Sequence, residues 1–468
     1  MGVILIRPRN KLVPREIVST QYPISLGYLA AYLKQNNVKV DLLDCEVQDL
    51  ADDSLGNFIK ERNPILIGMS CVTSNIIAGH DLAKIIKARF PDIKIIVGGV
   101  HATALPQRTL QEFPCFDFIA KGEGELTLLE LHNALVCNGD LSGVRGLLFR
   151  NGSGFVDTGA RPLIENLDSL PFPDRELLDM ALYKKTHASR GFSRTVKNIA
   201  EVITARGCPF NCIFCAVNVN FNRRVRYRSV ENIIAEMDEC IKKHQTNHFS
   251  IMDDTFAFRK DLFYPICDYL KSKKVTWDCY MRVNLVGEDI LKKAVDSGCE
   301  KVSFGIESGS ERILKLINKQ TTIQQIKEAF ALCRKTGLRY IDATFMLGNH
   351  PLETTEDIKL TMNLIMELNP DFMAFFITVP FPGTELNRIM KEGNYLIQEN
   401  WNDFILYGGK PSWSYQYFDG DDLLKLQAGL MKRFYLRPSY ILKQLIKIKT
   451  PGELIYWARL GYSMVKRI

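Results

Sequence analysis

The constraint that narrows the fold most is a rhythm. Short apolar runs alternate with helix-patterned stretches, first along residues 1–140 and again from residue 199. A parallel sheet covered by helices requires this alternation, because each crossover between parallel strands needs a helix to carry the chain back. In the first stretch, strands are predicted at 3–7, 38–43, 65–70, 93–98 and 116–121, with helices at 25–35, 54–62, 76–90, 105–113 and 125–137. This pattern predicts an α/β, flavodoxin-like doubly wound domain over 1–140, with ligands at the carboxyl ends of its strands. The rhythm breaks over 141–198. There a hairpin-like piece turning at Asn151-Gly152-Ser153-Gly154 precedes the extended run Leu170-Pro171-Phe172-Pro173-Asp174, which reads as a linker. It resumes over 199–400 with strands at 200–204, 249–253, 276–281, 301–305, 340–347 and 372–378, and helices at 230–243, 260–273, 288–297, 310–316, 323–336 and 355–368. Six such units predict a partial (β/α)6 barrel with its site at the C-terminal strand ends. Residues 401–468 are expected to form a helical C-terminal extension that joins neither sheet.

Composition removes several alternatives. No apolar stretch approaches the ~18 residues of a membrane span, and the opening Met-Gly-Val-Ile-Leu-Ile-Arg is too short for a signal peptide, so a cytoplasmic location is expected. The twelve cysteines mostly fall singly inside predicted elements, which is not a disulfide framework. Buried reduced thiols are the expectation for Cys45, Cys71, Cys137, Cys240, Cys267, Cys299 and Cys333. The net charge of +7 is concentrated in the tail, where Lys425, Lys432, Arg433, Arg437, Lys443, Lys447, Lys449, Arg459, Lys466 and Arg467 face Glu453 alone. The remainder has no basic excess, which argues against nucleic acid as a partner.

One cluster has ligand spacing. Directly after the first barrel strand stands Ala205-Arg206-Gly207-Cys208-Pro209-Phe210-Asn211-Cys212-Ile213-Phe214-Cys215. Thiolates at Cys208, Cys212 and Cys215 can fold around one face of a cubane so that each meets a different iron. The fourth iron then has no protein ligand and is open to an amine and a carboxylate from a small molecule. A structural zinc site wants four protein ligands, and a thioredoxin-like CxxC needs neither the upstream cysteine nor a barrel. Polar residues also gather at predicted strand ends: Asp253 and Asp254, Arg282, Glu307 and Ser308, and Gly348. Charged groups at a barrel mouth can bind a zwitterion and ribose hydroxyls, although each alone also reads as an ion pair or helix cap.

CxxxCxxC after strand one of a partial barrel resembles the radical S-adenosylmethionine (SAM) superfamily over about residues 199–390. The resemblance implies a [4Fe–4S] cluster on Cys208, Cys212 and Cys215, and SAM as cofactor. It also implies Phe214 packed on the adenine, with Arg282 and Glu307 foremost among the SAM contacts Asp253, Asp254, Arg282, Glu307, Ser308 and Gly348. Gly348-Asn349-His350-Pro351-Leu352-Glu353-Thr354 stands where the family has Gly-Leu-Pro-Gly-Glu-Thr, with Leu352 in place of a glycine.

In the first domain, Ser70 and Thr73, Gly98-Gly99-Val100-His101, and Gly122-Glu123-Gly124-Glu125 lie at the ends of predicted strands three, four and five. Glycines there let the backbone approach a bulky ligand, although ordinary βα-loop glycines look the same. The Gly-Gly-x-His-Ala-Thr and Gly-Glu-Gly-Glu runs resemble the cobalamin-binding domain found N-terminal to many radical SAM enzymes. This implies cobalamin contacts at Ser70, Thr73, Gly98, Gly99, His101, Gly122, Glu123 and Gly124. The Asp-x-His-x-x-Gly motif that supplies an axial histidine elsewhere is absent, so base-off cobalamin with no protein histidine on cobalt is expected.

Together the two halves resemble the class B cobalamin-dependent radical SAM methyltransferases. That resemblance implies reductive SAM cleavage to a 5′-deoxyadenosyl radical and methylation of an unactivated carbon of a small-molecule or lipid substrate. An external electron donor such as flavodoxin or ferredoxin would be needed. A cobalamin-dependent cyclase is the enzymatic alternative, with a methylthiotransferase or a non-catalytic cobalamin sensor behind it. Over 434–449, apolar and basic residues interleave in a helical pattern. That segment reads either as a helix packing its apolar face on the barrel with solvated lysines, or as a peripheral membrane contact.

Overall fold

A computed structural model of the chain describes residues 2–12, 20–48, 52–184, 198–396, 399–406, 411, 413–448 and 454. Linker residues 185–197 and the tail residues Lys449, Glu453, Arg459, Lys466 and Arg467 lie outside these. The first strand, Gly2–Arg7 (β1), is buried at every position but Arg7, as a strand covered on both faces must be. It pairs in parallel with Val40–Asp44 (β2) and Pro64–Ser70 (β3), and the sheet continues in parallel through Lys94–Gly98 (β4) and Phe118–Ala120 (β5). The order β2-β1-β3-β4-β5 is the flavodoxin-like one.

The sheet does not end at residue 140. Leu147–Asn151 (β6) and Gly154–Asp157 (β7) form the expected hairpin, and β6 adds antiparallel to β5 with Phe118 opposite Phe149. The sequence assigned this hairpin to the linker. A hairpin alone is marginal in water, and the exposed edge of β5 offers it a partner.

The second sheet holds Ile199–Val202 (β8), His248–Ile251 (β11), Thr276–Met281 (β12), Cys299–Glu307 (β13), Tyr340–Leu347 (β14) and Phe372–Ile377 (β15), all parallel in that order. Two short strands, Ala205–Arg206 (β9) and Arg226–Tyr227 (β10), pair beside it. The alternation along these strands is sharp. Phe249, Trp277, Phe304 and Phe345 are fully buried, with Trp277 against Phe263 and Phe304 against Phe330 of the covering helices. The alternate positions are polar and equally buried: His248 and Ser250 bond to Asp278, and Lys301 stands between Asp278 and Asp342. An apolar outer layer thus holds the strands under the helices, while a satisfied polar layer lines the inner face. Ser229, Thr322 and Thr354 cap the helices that follow, each accepting from a backbone N–H of the first turn.

At the C-terminus the single basic helix predicted over 434–449 is broken. Gly420–Tyr435 ends, and a new helix, Pro438–Lys447, begins on a proline, whose fixed φ suits a first helical position. Gln427 donates to the Phe375 carbonyl, and the Tyr435 hydroxyl bonds Met373, so the first of these helices seals the open edge at β15. No helix among the described residues is long and apolar enough to cross a membrane.

Candidate active site at the domain junction

The cysteine loop leaves β9 at Gly207, whose φ of 97° and close approach to the Arg224 carbonyl leave no room for a Cβ. Ile213 N–H donates to Ile317, Leu386 N–H donates to the Ile213 carbonyl, and Asn318 donates to Asn211, so the loop centre is pinned to the barrel. All three cysteines are free thiols. Burial raises Cys208, and raises Cys215 to about 12, so these sulfurs need a strong cation to become thiolates. A guanidinium N–H of Arg282 lies 3.7 Å from the Cys212 sulfur, and the same group stacks 3.6 Å over Phe210. Among the described residues no three Cys, His, Asp or Glu side chains converge to grip a single metal ion. Three cysteine sulfurs on one loop are the donor type that would hold an iron–sulfur cluster, and hydrogen bonding to a ligating sulfur is a known lever on such clusters.

The other strand-end residues divide into those that build the loop and those that face open space. The Asp253 carboxylate accepts from the Thr204 N–H at 2.6 Å and the Ala205 N–H at 3.2 Å, so it holds the chain entering the cysteine loop. Burial outweighs those bonds and raises it to about 6. Asp254 faces the cavity described below, and desolvation by the surrounding walls raises it to about 6 as well. Glu307 adopts φ of 70° at a bulge and pairs with Lys319 at 2.7 Å. Lys319 in turn stands 5.9 Å from the Phe214 ring. Ser308 is buried against Thr361, and Gly348 lies under the ring of Tyr415.

A cavity of about 330 Å³ joins the two domains. One end is an apolar slot between the first sheet and its helices, walled by Leu5, Leu26, Ile96, Ala120 and Leu128. It opens past Ser70, Gly98, Gly99, Gly122, Glu123 and Gly124, and reaches Gly207, Phe221 and Asp254. Gly99, at φ of 104°, abuts the Cys71 carbonyl so closely that a side chain there would force the strand ends apart. Thr73 and His101 sit elsewhere. Both are buried, His101 Nδ1 lies 3.2 Å from the Thr73 hydroxyl, and the ring meets Trp401 edge-on at 4.9 Å. Burial lowers His101 to about 4, so it is a neutral packing histidine under the C-terminal segment. Of the thiols expected to be buried, Cys137 is exposed and Cys45 half-buried.

Sequence reasoning passed over Arg206, Arg226 and Asn220. Arg206 donates to Glu123 at 2.8 Å and to Glu125 at 2.7 Å, and Arg226 donates to Glu123 at 2.7 Å. These arginines tie the Gly-Glu-Gly-Glu run of the first domain to the approach of the cysteine loop. The carboxamide oxygen of Asn220, on the cavity wall, is buried without a hydrogen-bond partner. The available signal was position, since Arg206 stands two residues before Cys208.

Beyond β14, Glu353 is 1% exposed and accepts from both the Asn349 N–H and its side-chain amide. Burial nevertheless raises it to about 7. An acid raised on folding stabilises fully below its unfolded value and loses that contribution as pH climbs through the folded value. Wild-type stability is therefore expected to fall between pH 4.5 and about 7, with Glu353 contributing up to about 3 kcal/mol of the loss. Glu353→Gln should flatten this slope in urea melts across that range. Its amide finds an acceptor because the Asn349 carboxamide oxygen is otherwise unpaired. An unchanged slope would exclude Glu353 as its source.

With this geometry in hand, the chain is similar to known proteins in both halves. The family model for the radical SAM superfamily matches residues 202–365, and that for the B12 binding domain matches residues 10–132. A protein of Pyrococcus horikoshii, named an uncharacterized methyltransferase, is 32% identical over 447 residues, covering 95% of this chain and 94% of its own. The anaerobic magnesium-protoporphyrin IX monomethyl ester cyclase of Rubrivivax gelatinosus is 28% identical over 450 residues, covering 94% of this chain and 78% of its own. The solved structure of the cobalamin-dependent S-adenosylmethionine radical enzyme OxsB, with aqua-cobalamin and S-adenosylmethionine bound, shares the fold. Its TM-score is 0.74 at 18% identity, over 99% of this chain and 71% of that one.

Proposed function

We propose that this chain, which belongs to the cobalamin-dependent radical SAM enzymes, methylates an unactivated carbon of a small-molecule or lipid substrate. The observation that carries the reading is the cavity running from the glycine-lined strand ends of one domain to Gly207, where the cysteine loop of the other begins. When bound, the cluster supplies the electron for SAM cleavage and cobalamin serves as methyl carrier. Cys208, Cys212 and Cys215 would hold the cluster, and Arg282 donates toward the Cys212 sulfur. Asp254 and the unpaired Asn220 offer polar anchors on the cavity wall.

The same slot supports the base-off reading, because it can take an extended tail displaced from cobalt. Neither His101, packed under Trp401, nor His80, packed 5.0 Å from Phe113, lines this cavity. An external donor such as flavodoxin or ferredoxin would supply the electron.

The test is to incubate reconstituted enzyme with reductant, trideuteromethyl-SAM and extract. 5′-Deoxyadenosine and a product heavier by one labelled methyl are expected, with no nitrogen splitting in the cob(II)alamin resonance. A labelled product without 5′-deoxyadenosine would contradict the radical step. 5′-Deoxyadenosine with an unlabelled, ring-closed product would favour a cyclase, the reading to which the Rubrivivax relative lends support.

A further inference from the structure

The helix Pro438–Lys447 is docked the wrong way round for a packing helix. Positions 440, 443, 444 and 447 share one face, and it is this polar face that meets the protein. The Tyr440 hydroxyl and the Gln444 amide donate to the Asp371 carbonyl, while Lys443 and Lys447 pair with the Asp371 carboxylate at 2.9 and 2.6 Å. The apolar face is left in solvent, with Ile441 46%, Leu442 60%, Leu445 48% and Ile446 76% exposed. An amphipathic helix ordinarily buries the opposite face, and a contiguous apolar patch marks an interaction surface.

Charge selects among the occupants. Lys432 and Arg433 are exposed on the preceding helix, and the chain beyond 448 adds Lys449, Arg459, Lys466 and Arg467 against Glu453 alone. A second copy across a two-fold axis would set the exposed Lys432 and Arg433 against their own copies. An anionic surface with an apolar layer beneath it satisfies both features.

We infer that the outward face of Pro438–Lys447 seats the protein on a bilayer bearing anionic lipid headgroups. Its place in the fold says how. Lys443 and Lys447 also reach the Asn369 and Arg339 carbonyls, which precede β15 and β14, so the helix lies across the N-terminal strand ends. The cysteine loop and Asp254 are at the opposite ends. The seated enzyme holds its cavity away from the bilayer, so this surface is a tether and not a route for substrate.

The test uses the full-length holoenzyme in flotation with phosphatidylcholine vesicles, with and without phosphatidylglycerol. Wild type is expected to float with the anionic vesicles. Leu442→Glu with Ile446→Glu should lower the floated fraction about tenfold. Because both side chains are solvent-exposed, the melting curve and 5′-deoxyadenosine formation should not change. The idea is overturned if wild type fails to float, if the variant floats equally well, or if sedimentation shows a wild-type dimer that the variant abolishes.

Discussion

Replacing Cys208, Cys212 and Cys215 together with Ala is expected to remove the visible cluster absorbance and all SAM cleavage, while leaving the fold and cobalamin binding in place. The loop has no other thiol to offer. Cys240, Cys267 and Cys279 are buried in or beneath the barrel's helices and strands, and Cys71 belongs to the first domain. Burial raises Cys208 and Cys215, so conversion of those two thiols to thiolates would depend on the iron of a bound cluster. With no thiolate, the electron has no path to SAM, and 5′-deoxyadenosine should drop to the uncatalysed level. The fold should persist because the loop is pinned by backbone bonds at Ile213 rather than by its sulfurs. The measurements are iron and sulfide analysis, the absorbance spectrum, and 5′-deoxyadenosine by chromatography. A full cluster in the triple variant would sink the assignment.

Arg206→Ala is expected to destabilise the protein by roughly 3–5 kcal/mol and to uncouple SAM cleavage from product formation. Glu123 is 8% exposed and takes three donors: Arg206, Arg226 and the Ile164 N–H. Burial alone would raise its carboxyl, but the bonds from Arg226 and Arg206 carry it below the ordinary value. Arg206 also stacks 5.1 Å from the Tyr28 ring of the first domain. Removing the guanidinium leaves Glu125 buried without this partner and Glu123 with one cation fewer. Arg206→Lys should rescue part of the stability, since one ammonium cannot bridge two carboxylates as a planar fork does. Stability alone would not distinguish a strut from a positioning residue. The deciding readout is methylated product per 5′-deoxyadenosine, which should fall in both variants if Arg206 sets the distance between the domains. A ratio equal to wild type in the Lys variant would reduce Arg206 to a purely structural contact.

The two α/β units, the flavodoxin-like class of the first, the six parallel strands of the second and the position of the cysteine loop were legible in the sequence. Those features follow from local regularities: apolar periodicity, glycine at strand ends, and three cysteines at fixed spacing on one turn. The remaining features depend on partners far apart in the chain. Glu123, a glycine-run residue by sequence, turns out to carry the interdomain ion pairs with Arg206 and Arg226, which stand 83 and 103 residues away. Thr73 and His101, expected at the cofactor rim, bond each other beneath Trp401, a residue the local pattern could not bring to them. The hairpin at 147–157 joined the first sheet because the edge of β5 was free, which its own residues do not encode. The C-terminal helix shows the limit most directly. Its amphipathic pattern was legible, but which face turned inward depended on Asp371, a buried carboxylate that draws two lysines and leaves the apolar side to solvent. Periodicity reports that a helix has two faces, and the charge it meets on folding determines which one is buried.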